Sequence, residues 1–461
     1  MSCTTAVILA AGAGTRMKSD RPKVLHEVCG RPMVSHVISQ SKKAGVERIV
    51  AVVGHGSQEV KEALADENGV VFALQEQQLG TGHAAMTAAE YIPQEGNVFV
   101  LCGDTPLITA DTLSRFAAFH EAGGNAVTVL TALFDDPFGY GRIIRRQDGS
   151  LEKIVEEKDA SEAERAVKEV NAGMYCFQAA FFRENVVRLN NDNAQKEYYI
   201  TDLISMAVES GAGAGAFTVS DADEIMGVNN RVQLAQAAGI MRGRIARHHM
   251  LEGVTILDPE NVYIEEDVKI GSDTEIWPGA VLRGRTEIGR RCIIGKDTVI
   301  EDSVIGDGCD IMKSVIRSSR IGRETTVGPF AYLRPDSDVG EHCKVGDFVE
   351  IKNAKFGDGS KASHLAYIGD ADVGSDVNVG CGVVFANYNG VKKFRSMVGD
   401  RAFIGSNANL VAPVEIQEDA YVAAGTTVTV TVPEGALCVG RARETVEEGW
   451  VERKGLSRKK S

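Results

Sequence analysis

No C-x-x-C pair occurs in this sequence, and no dense cysteine framework. Nine cysteines are scattered along 461 residues, a usage that points to reduced thiols in a cytosol and away from disulfides or structural zinc. Long hydrophobic runs are missing too. The first, residues 6–11, is far too short for a signal-peptide core or a membrane span, and nothing later approaches span length. A soluble, cytoplasmic protein without a membrane partner is expected. Positive charge is in deficit: 50 Lys and Arg against 64 Asp and Glu leave a net −14. General nucleic-acid binding is therefore not expected, although a local cluster can still hold phosphate. His26, His36, His55 and His83 lack metal-ligand spacing and read as packing or loop residues.

What the sequence does have, from Ile264 to Val428, is a period of six. Apolar residues recur at Ile264, Ile270, Ile276, Leu282, Ile288, Ile294 and Ile300, again from Ile321 through Ile351, and later from Val398 through Val428. Six fits neither a helix nor an alternating strand. It fits a parallel β-helix, with one inward apolar residue per side and glycine relieving the corners. Each coil buries its face only against its neighbours, so many coils are needed. The chain is long enough for two or three domains.

The amino-terminal half alternates instead. Runs 6–10, 49–53, 70–74, 98–101 and 127–133 look like buried strands, and 33–43, 59–65, 83–91 and 111–121 carry helical spacing. That order implies a mostly parallel sheet whose ligands bind at the carboxyl ends of the strands. The first such end reads Leu9-Ala10-Ala11-Gly12-Ala13-Gly14-Thr15-Arg16-Met17. Its small residues let amides approach a phosphate, and Arg16 adds charge. It lacks the third glycine of a dinucleotide fingerprint and is no Walker loop, so alone it also suits a plain turn. Lys23 follows closely enough to reach the same phosphates. Gln75, Gly80 and Thr81 lie in a polar loop suited to a base edge. An apolar strand then ends at Cys102-Gly103-Asp104, where the carboxylate is placed either to hold Mg²⁺ or to cap the next helix. From Arg231 to Leu251 the pattern is helical, with Leu234, Ala235, Ala238, Met241, Ile245 and Met250 on one expected face. A short basic tail closes the chain.

These motifs, with Gly139-Tyr140-Gly141-Arg142, Ile154-Val155-Glu156, Val170-Asn171-Ala172-Gly173 and Gly227-Val228-Asn229, resemble the sugar-nucleotide pyrophosphorylases. More narrowly, the chain resembles the bifunctional bacterial N-acetylglucosamine-1-phosphate uridylyltransferase and glucosamine-1-phosphate N-acetyltransferase family over essentially its whole length. That resemblance implies an α/β Rossmann-like nucleotidyltransferase domain (1–229), a helical linker (230–250) and a left-handed parallel β-helix of hexapeptide repeats (251–461). It implies UTP and N-acetylglucosamine-1-phosphate as substrates of the first domain. Leu9, Ala10, Ala11, Gly12, Arg16, Lys23, Gln75, Gly80, Thr81, Cys102 and Gly103 would serve the nucleotide. Gly141, Glu156 and Asn171 would hold the sugar, and Asp104 with Asn229 would hold Mg²⁺. Cys102 departs from the family's usual residue before Gly-Asp.

Within the repeat, polar residues crowd the interruptions. His364 stands in Lys361-Ala362-Ser363-His364-Leu365-Ala366-Tyr367, and imidazole titrates near neutrality, which suits a general base. The stretch from Asn387 to Arg395 carries no inward period and must loop out. An Asn-Gly turn flanked by lysines there suits a loop closing over an anion. The resemblance assigns Arg334, Lys352, Tyr367, Asn378 and Lys393 to glucosamine-1-phosphate. It gives Asn387, Tyr388, Ser406, Ala424 and Arg441 to acetyl-CoA, with Ser406 a donor to the oxyanion. His364 would take the amine proton, oriented by Glu350. Where the family usually has Gly-Ala-Gly-Thr, this chain has Gly380-Cys381-Gly382-Val383, so Cys381 would face the thioester. A homotrimer through the β-helix is implied, and a product, UDP-N-acetylglucosamine, that feeds peptidoglycan and lipopolysaccharide. Two alternatives stay open on sequence grounds: a single-function pyrophosphorylase with a regulatory or oligomerising β-helix, and a non-enzymatic scaffold.

Overall fold

Alternation along the first strand sets the architecture of the amino-terminal part. In β1 (Cys3–Ala10), Ala6, Ile8 and Ala10 enter one apolar cluster and Val7 another. Both faces of the sheet are therefore covered, as a mainly parallel sheet requires. The computed structural model describes residues 3–193, 195–440 and 442–456, which fall into two compact units, Met1–Arg244 and Ile245–Ser461.

In the first unit, β1 is followed by β2 (Arg48–Val53), β3 (Val70–Leu74), β4 (Asn97–Cys102), β5 (Val127–Leu133), β6 (Arg142–Arg145), β7 (Leu151–Val155), β8 (Glu169–Gln178) and β9 (Ala214–Thr218). The sheet order is β9-β5-β8-β4-β1-β2-β3, with the β6–β7 hairpin attached to β8. β1 pairs in parallel with both β2 and β4, so the order reverses at β1 and a crevice opens beyond its carboxyl end. The sequence reading found β1 to β5 and not β6 to β9, the long antiparallel β8 among them. A register shift between Asn171 and Tyr175 breaks the alternation that would have marked β8 as a strand.

The helix Arg231–Leu251 starts where expected, because the Asn230 side chain accepts the N–H groups of Val232 and Gln233 at 3.0 and 2.9 Å. Its buried face differs from the expected one. Ala237, Ile245, Ala246 and His249 are buried, while Ala235 and Met250 are exposed. Apolar residues are spread around this helix, so the sequence could not select a side. Arg244 donates to the Leu107 carbonyl at 2.6 Å and pairs with Asp221 at 3.0 Å. The helix up to that point thus packs on the first unit, and the division between units falls one residue later.

In the second unit, strands of two to seven residues pair in parallel with the equivalent strand one coil on, as in Val281↔Val299 and Leu282↔Ile300. These ladders make an 11-stranded and a 17-stranded sheet, a parallel β-helix of hexapeptide repeats. Each side points two residues inward, where the sequence reading allowed one. The aliphatic residue is preceded two positions earlier by a small one, as Ile276 is by Thr274 and Val345 by Cys343, all buried. The small residues satisfy corner carbonyls: Thr325 Oγ1 donates to Gly340 O at 2.9 Å, and Cys343 Sγ to Gly357 O at 3.1 Å. Gly357 is required at its corner, since a Cβ there would lie 2.5 Å from the Gly374 carbonyl carbon in the next coil. Residues 387–395 leave the coil as expected: β-pairing resumes with Ala371↔Ser396, a step of 25, after Tyr367↔Val384, a step of 17. Near the end, Trp450–Arg453 make a single helical turn. The last part of the basic tail, 457–461, lies outside the described residues.

Candidate active sites

In the first unit, a cleft of about 330 Å³ opens at the carboxyl ends of β1, β3 and β4, lined by Leu9, Ala10, Ala11, Gly12, Lys23, Gln75, Gly80, Thr81, Cys102 and Asp104. Met17, 1% exposed, pins the loop after β1, while a Cβ on Gly12 would meet nothing within 4 Å, so its backbone is open to a ligand. The Lys23 ammonium contacts the Asp104 carboxylate and donates to Asn229 Oδ1 at 2.7 Å, and Arg16 donates to the same oxygen at 2.8 Å. Four polar residues from distant parts of the chain thus meet at one end of the cleft.

The Gln75 side chain is buried and held at 3.3 Å from the Gly80 carbonyl and 3.0 Å from His83 Nδ1. Gly80 has φ +106, and a Cβ on it would lie 2.6 Å from the Tyr198 carbonyl oxygen; Tyr198 N–H in turn donates to Leu79 O at 2.8 Å. The chain near Glu197 therefore walls the cleft. Sequence reasoning did not single out Glu197 and Gln78, which also line the cleft, because a polar residue in a loop carries no motif of its own. Gly103 N–H donates to Leu9 O at 3.0 Å, which brings Asp104 beside the first loop. The Cys102 thiol donates to Gly173 O at 3.2 Å; burial, then Asp104, pushes it up to about 12, so it stays a neutral thiol.

The three expected sugar residues are neighbours. Asn171 N–H donates to Gly141 O at 2.9 Å, and a Cβ on Gly141 would sit 3.5 Å from both Asn171 Cβ and Glu156 Oε1. Asn171 Oδ1 is fixed by Gly173 N–H at 2.8 Å. Burial, aided by Asp159 and Asp202, holds the Glu156 carboxyl above its ordinary range.

In the second unit, register decides the arrangement. Asp347 pairs with His364 across adjacent coils, and His364 Nδ1 lies 2.6 Å from Asp347 Oδ1. The carboxylate in contact with the His364 ring is therefore Asp347 and not the expected Glu350. Glu350 pairs in register with Tyr367 on the other sheet and binds Arg334 NH1 at 2.9 Å. The Asp347 carboxyl is held below its usual range, chiefly by its hydrogen bond to His364.

Two residues past Ala362↔Val379 stand His364 and Cys381, and two past Val379↔Ile404 stands Ser406; the same step from Ile404↔Val422 reaches Ala424. His364, Cys381, Ser406 and Ala424 thus descend one corner, a coil apart. Ser406 is two coils from His364, about 10 Å at ordinary strand spacing. Asn378 begins the strand between His364 and Ser406. Arg441 lies outside the described residues.

On the other side, Lys352 follows Ile351↔Ile368 in register, and the projecting loop brings Lys393 beside it. Lys352 is the main cause that holds the Lys393 ammonium below its usual range, the mark of two cations placed together. Asp370, buried, accepts from Asn353 at 2.6 Å and also from Asn387, whose amide in addition donates to the Tyr367 hydroxyl at 3.3 Å. Tyr388 donates to Gly390 O at 2.6 Å within the loop. The loop is anchored by a residue the sequence reading missed: Arg395 forks onto Asp372 at 2.7 and 2.6 Å and donates to Asn353 O and Ala371 O, both at 2.9 Å. The cue was a lone arginine at the point where the period resumes.

Comparison with known proteins agrees with this division. The family model for the MobA-like NTP transferase domain matches residues 6–169, and that for bacterial transferase hexapeptide (six repeats) matches 318–353. Bifunctional protein GlmU of Clostridioides difficile (strain 630) is 55% identical over 97% of each chain. The protein of the same name from Alkaliphilus oremlandii (strain OhILAs) is 56% identical over 98% of this chain and 99% of its own. That from Geobacillus sp. (strain WCH70) is 51% identical over 98% of both. A likeness of that depth, running end to end and carrying a nucleotidyltransferase signature before a hexapeptide one, establishes that the chain belongs to the family of bifunctional GlmU proteins.

Proposed function

We propose that this chain makes UDP-N-acetylglucosamine in two reactions on separate units. Acetyl-CoA acetylates glucosamine-1-phosphate on the β-helix, and UTP then uridylylates N-acetylglucosamine-1-phosphate in the first unit with release of pyrophosphate. The observation that carries this reading is two independent chemical centres in one chain: Arg16, Lys23, Asp104 and Asn229 at the nucleotide cleft, and Asp347–His364 at a corner of the β-helix. A passive oligomerising β-helix would need no such pair.

In the first unit, the sugar phosphate oxygen attacks the α-phosphorus of UTP in line. The protein supplies positioning and charge: Arg16 and Lys23 face the phosphates, Gln75 the base, and Gly141, Glu156 and Asn171 the sugar. Asp104 and Asn229 suit Mg²⁺, because both side-chain oxygens converge on one cation, the Lys23 ammonium. Among the described residues no cluster of three metal-binding side chains exists. Two protein oxygens, completed by phosphate and water, is the habit of Mg²⁺. When bound, Mg²⁺ supplies charge neutralisation between the phosphates.

In the second unit, Lys352 and Lys393 hold the sugar phosphate with Arg334, Tyr367 and Asn378. His364 takes the proton from the amine as the nitrogen attacks the thioester carbonyl. Cys381, Asn387, Tyr388, Ser406 and Ala424 border the acetyl-CoA side. A homotrimer through the β-helix is supported by an exposed apolar corner. Phe330 and Phe348 stack at 5.3 Å; with Leu365 they are 53–57% exposed and adopt φ of +62, +56 and +46. Bulky residues in that backbone region, on a surface, are unusual and mark a contact. A cytoplasmic location suits the substrates and the cysteines, which form no disulfide among the described residues; no helix among the described residues is long and apolar enough to cross a membrane.

The test is to incubate the full chain with glucosamine-1-phosphate, acetyl-CoA, UTP and Mg²⁺ and to assay free thiol and pyrophosphate separately. Both products are expected. Pyrophosphate without thiol, when N-acetylglucosamine-1-phosphate is supplied, would reduce the β-helix to a scaffold.

A further inference from the structure

We propose that Asp347 is a positioning residue for acetyl transfer: it fixes the His364 ring and tautomer so that Nε2 is the base. The proposal rests on the acetyl-transfer reading above. An ionised carboxylate can only accept, so the 2.6 Å contact between Asp347 Oδ1 and His364 Nδ1 places a hydrogen on Nδ1. The neutral ring then carries its lone pair on Nε2. The ring nitrogens point to opposite sides, so anchoring Nδ1 to the coil before His364 turns Nε2 away from it.

The backbone fixes both partners before their side chains meet. Lys344↔Lys361, Val345↔Ala362 and Asp347↔His364 share one register, and Leu365 N–H donates to Asp347 O at 2.9 Å. Between them, Gly346 lets the strands close, since a Cβ there would run into the Ser363 carbonyl. Among the described residues Asp347 is the carboxylate paired with the ring, while Glu350, the one expected from the sequence, is engaged by Arg334. The pair is not built for stability. Its side chains are 58% and 37% exposed, and such pairs contribute little to folding in water. A short, well-registered hydrogen bond that adds little to stability serves to aim the imidazole, as the aspartate does in carboxylate–histidine catalytic sets.

The step balances without further reactants. The amine nitrogen bonds to the thioester carbonyl carbon, its proton passes to Nε2, and the C–S bond breaks. The imidazolium then returns the proton to the leaving thiolate. Asp347 stays ionised throughout and exchanges no proton.

The experiment compares wild type, Asp347→Ala, His364→Ala and the double variant in the full chain. It measures acetyl-transfer kcat and KM, pyrophosphate release as a check on folding, and the ¹⁵N shifts of His364. Asp347→Ala is expected to lower kcat on the order of 10–10²-fold, with KM for acetyl-CoA changed less than about twofold. The double variant is expected to be no slower than His364→Ala, because Asp347 acts only through that ring. The ¹⁵N shifts should report hydrogen on Nδ1 in the wild type and a tautomer mixture in Asp347→Ala. Full kcat in Asp347→Ala, or a further loss in the double variant as large as in the single, would overturn the proposal. An unchanged tautomer in Asp347→Ala would overturn it as well. If wild type releases no thiol, or His364→Ala keeps full acetyl transfer, the acetyl-transfer reading is what fails. The ¹⁵N shifts then still report whether Asp347 orients the ring.

Discussion

The two units assemble their sites by opposite means. In the first, the side chains that meet at the end of the cleft come from positions 16, 23, 104 and 229, gathered by strand ends around a topological switch. In the second, Asp347, His364, Cys381, Ser406 and Ala424 come from one corner of successive coils, delivered by register. A site of the first kind depends on charges finding one another across the fold and tolerates changes in loop length. A site of the second kind is set by the repeat, where a residue inserted within a strand would turn the side chains that follow it in that strand to the opposite face.

The sharpest way to break this comparison is to remove one centre and read the other. Asp104→Ala should abolish pyrophosphate release and leave acetyl transfer nearly intact. His364→Ala should lower acetyl-transfer kcat by about 10²–10⁴-fold, as the loss of a general base does, with uridylyl transfer untouched. Both products are measured on each variant, with circular dichroism as the check on folding. Parallel loss of both activities in either folded variant would mean that the sites are not independent.

The same contrast explains what the sequence revealed. β1, β2, β4 and β5, buried on both faces, are continuous aliphatic runs and could be read directly; β3, at the sheet edge and largely open to solvent, keeps the same aliphatic run, and a period of six admits one architecture. The loop ending at Met17 and the Gly103-Asp104 pair were legible because they follow such strands. Two kinds of feature were hidden. One depends on a bulge, as in β8, where alternation fails between Asn171 and Tyr175. The other depends on coil length. The step from Asp347 to His364 is 17 residues, and only a fixed coil makes those positions adjacent, so Glu350 looked nearer by local spacing. One cue was present: Val345 and Ala362, two residues before each, face inward at the same step.

Acidity should separate the units next. His120, 2% exposed, has its pKa lowered to about 4 by burial. The unfolded chain takes up that proton below about 6.5. Its contribution is therefore complete above pH 6.5 and lost as pH falls toward 4, by about 3 kcal/mol at most. In the second unit the small inward column is of uncharged residues, and the buried histidine lowered there is His249, in the helix that precedes the coils. Trp277 and Trp450, the only tryptophans, both lie in the second unit, so their fluorescence follows it alone, while helical dichroism is weighted to the first. Between pH 6.5 and 4 the dichroic transition should weaken with a slope to which His120 contributes about one proton and His26, also lowered by burial, a smaller share, and His120→Gln should reduce that slope. An equal slope in wild type and variant would show that another group governs acid stability.

The smallest effect probes the inward column. Thr325, Cys343 and Ser360 stand at equivalent corners and donate to Gly340, Gly357 and Gly374 carbonyls at 2.9, 3.1 and 2.7 Å. If the column is selected for a small donor, sulfur and oxygen are interchangeable there. Burial pushes the Cys343 thiol up to about 11, so it is neutral, and serine would replace one neutral donor by another. Cys343→Ser should then change stability by less than about 1 kcal/mol, whereas Cys343→Leu, which overfills the corner, should cost about 1–3 kcal/mol. Denaturation followed by tryptophan fluorescence reads both. Should serine cost as much as leucine, the column is held by apolar packing of sulfur and its hydrogen bonds are incidental. The neighbouring threonine and serine would then have to be explained by their own methyl group and their own size.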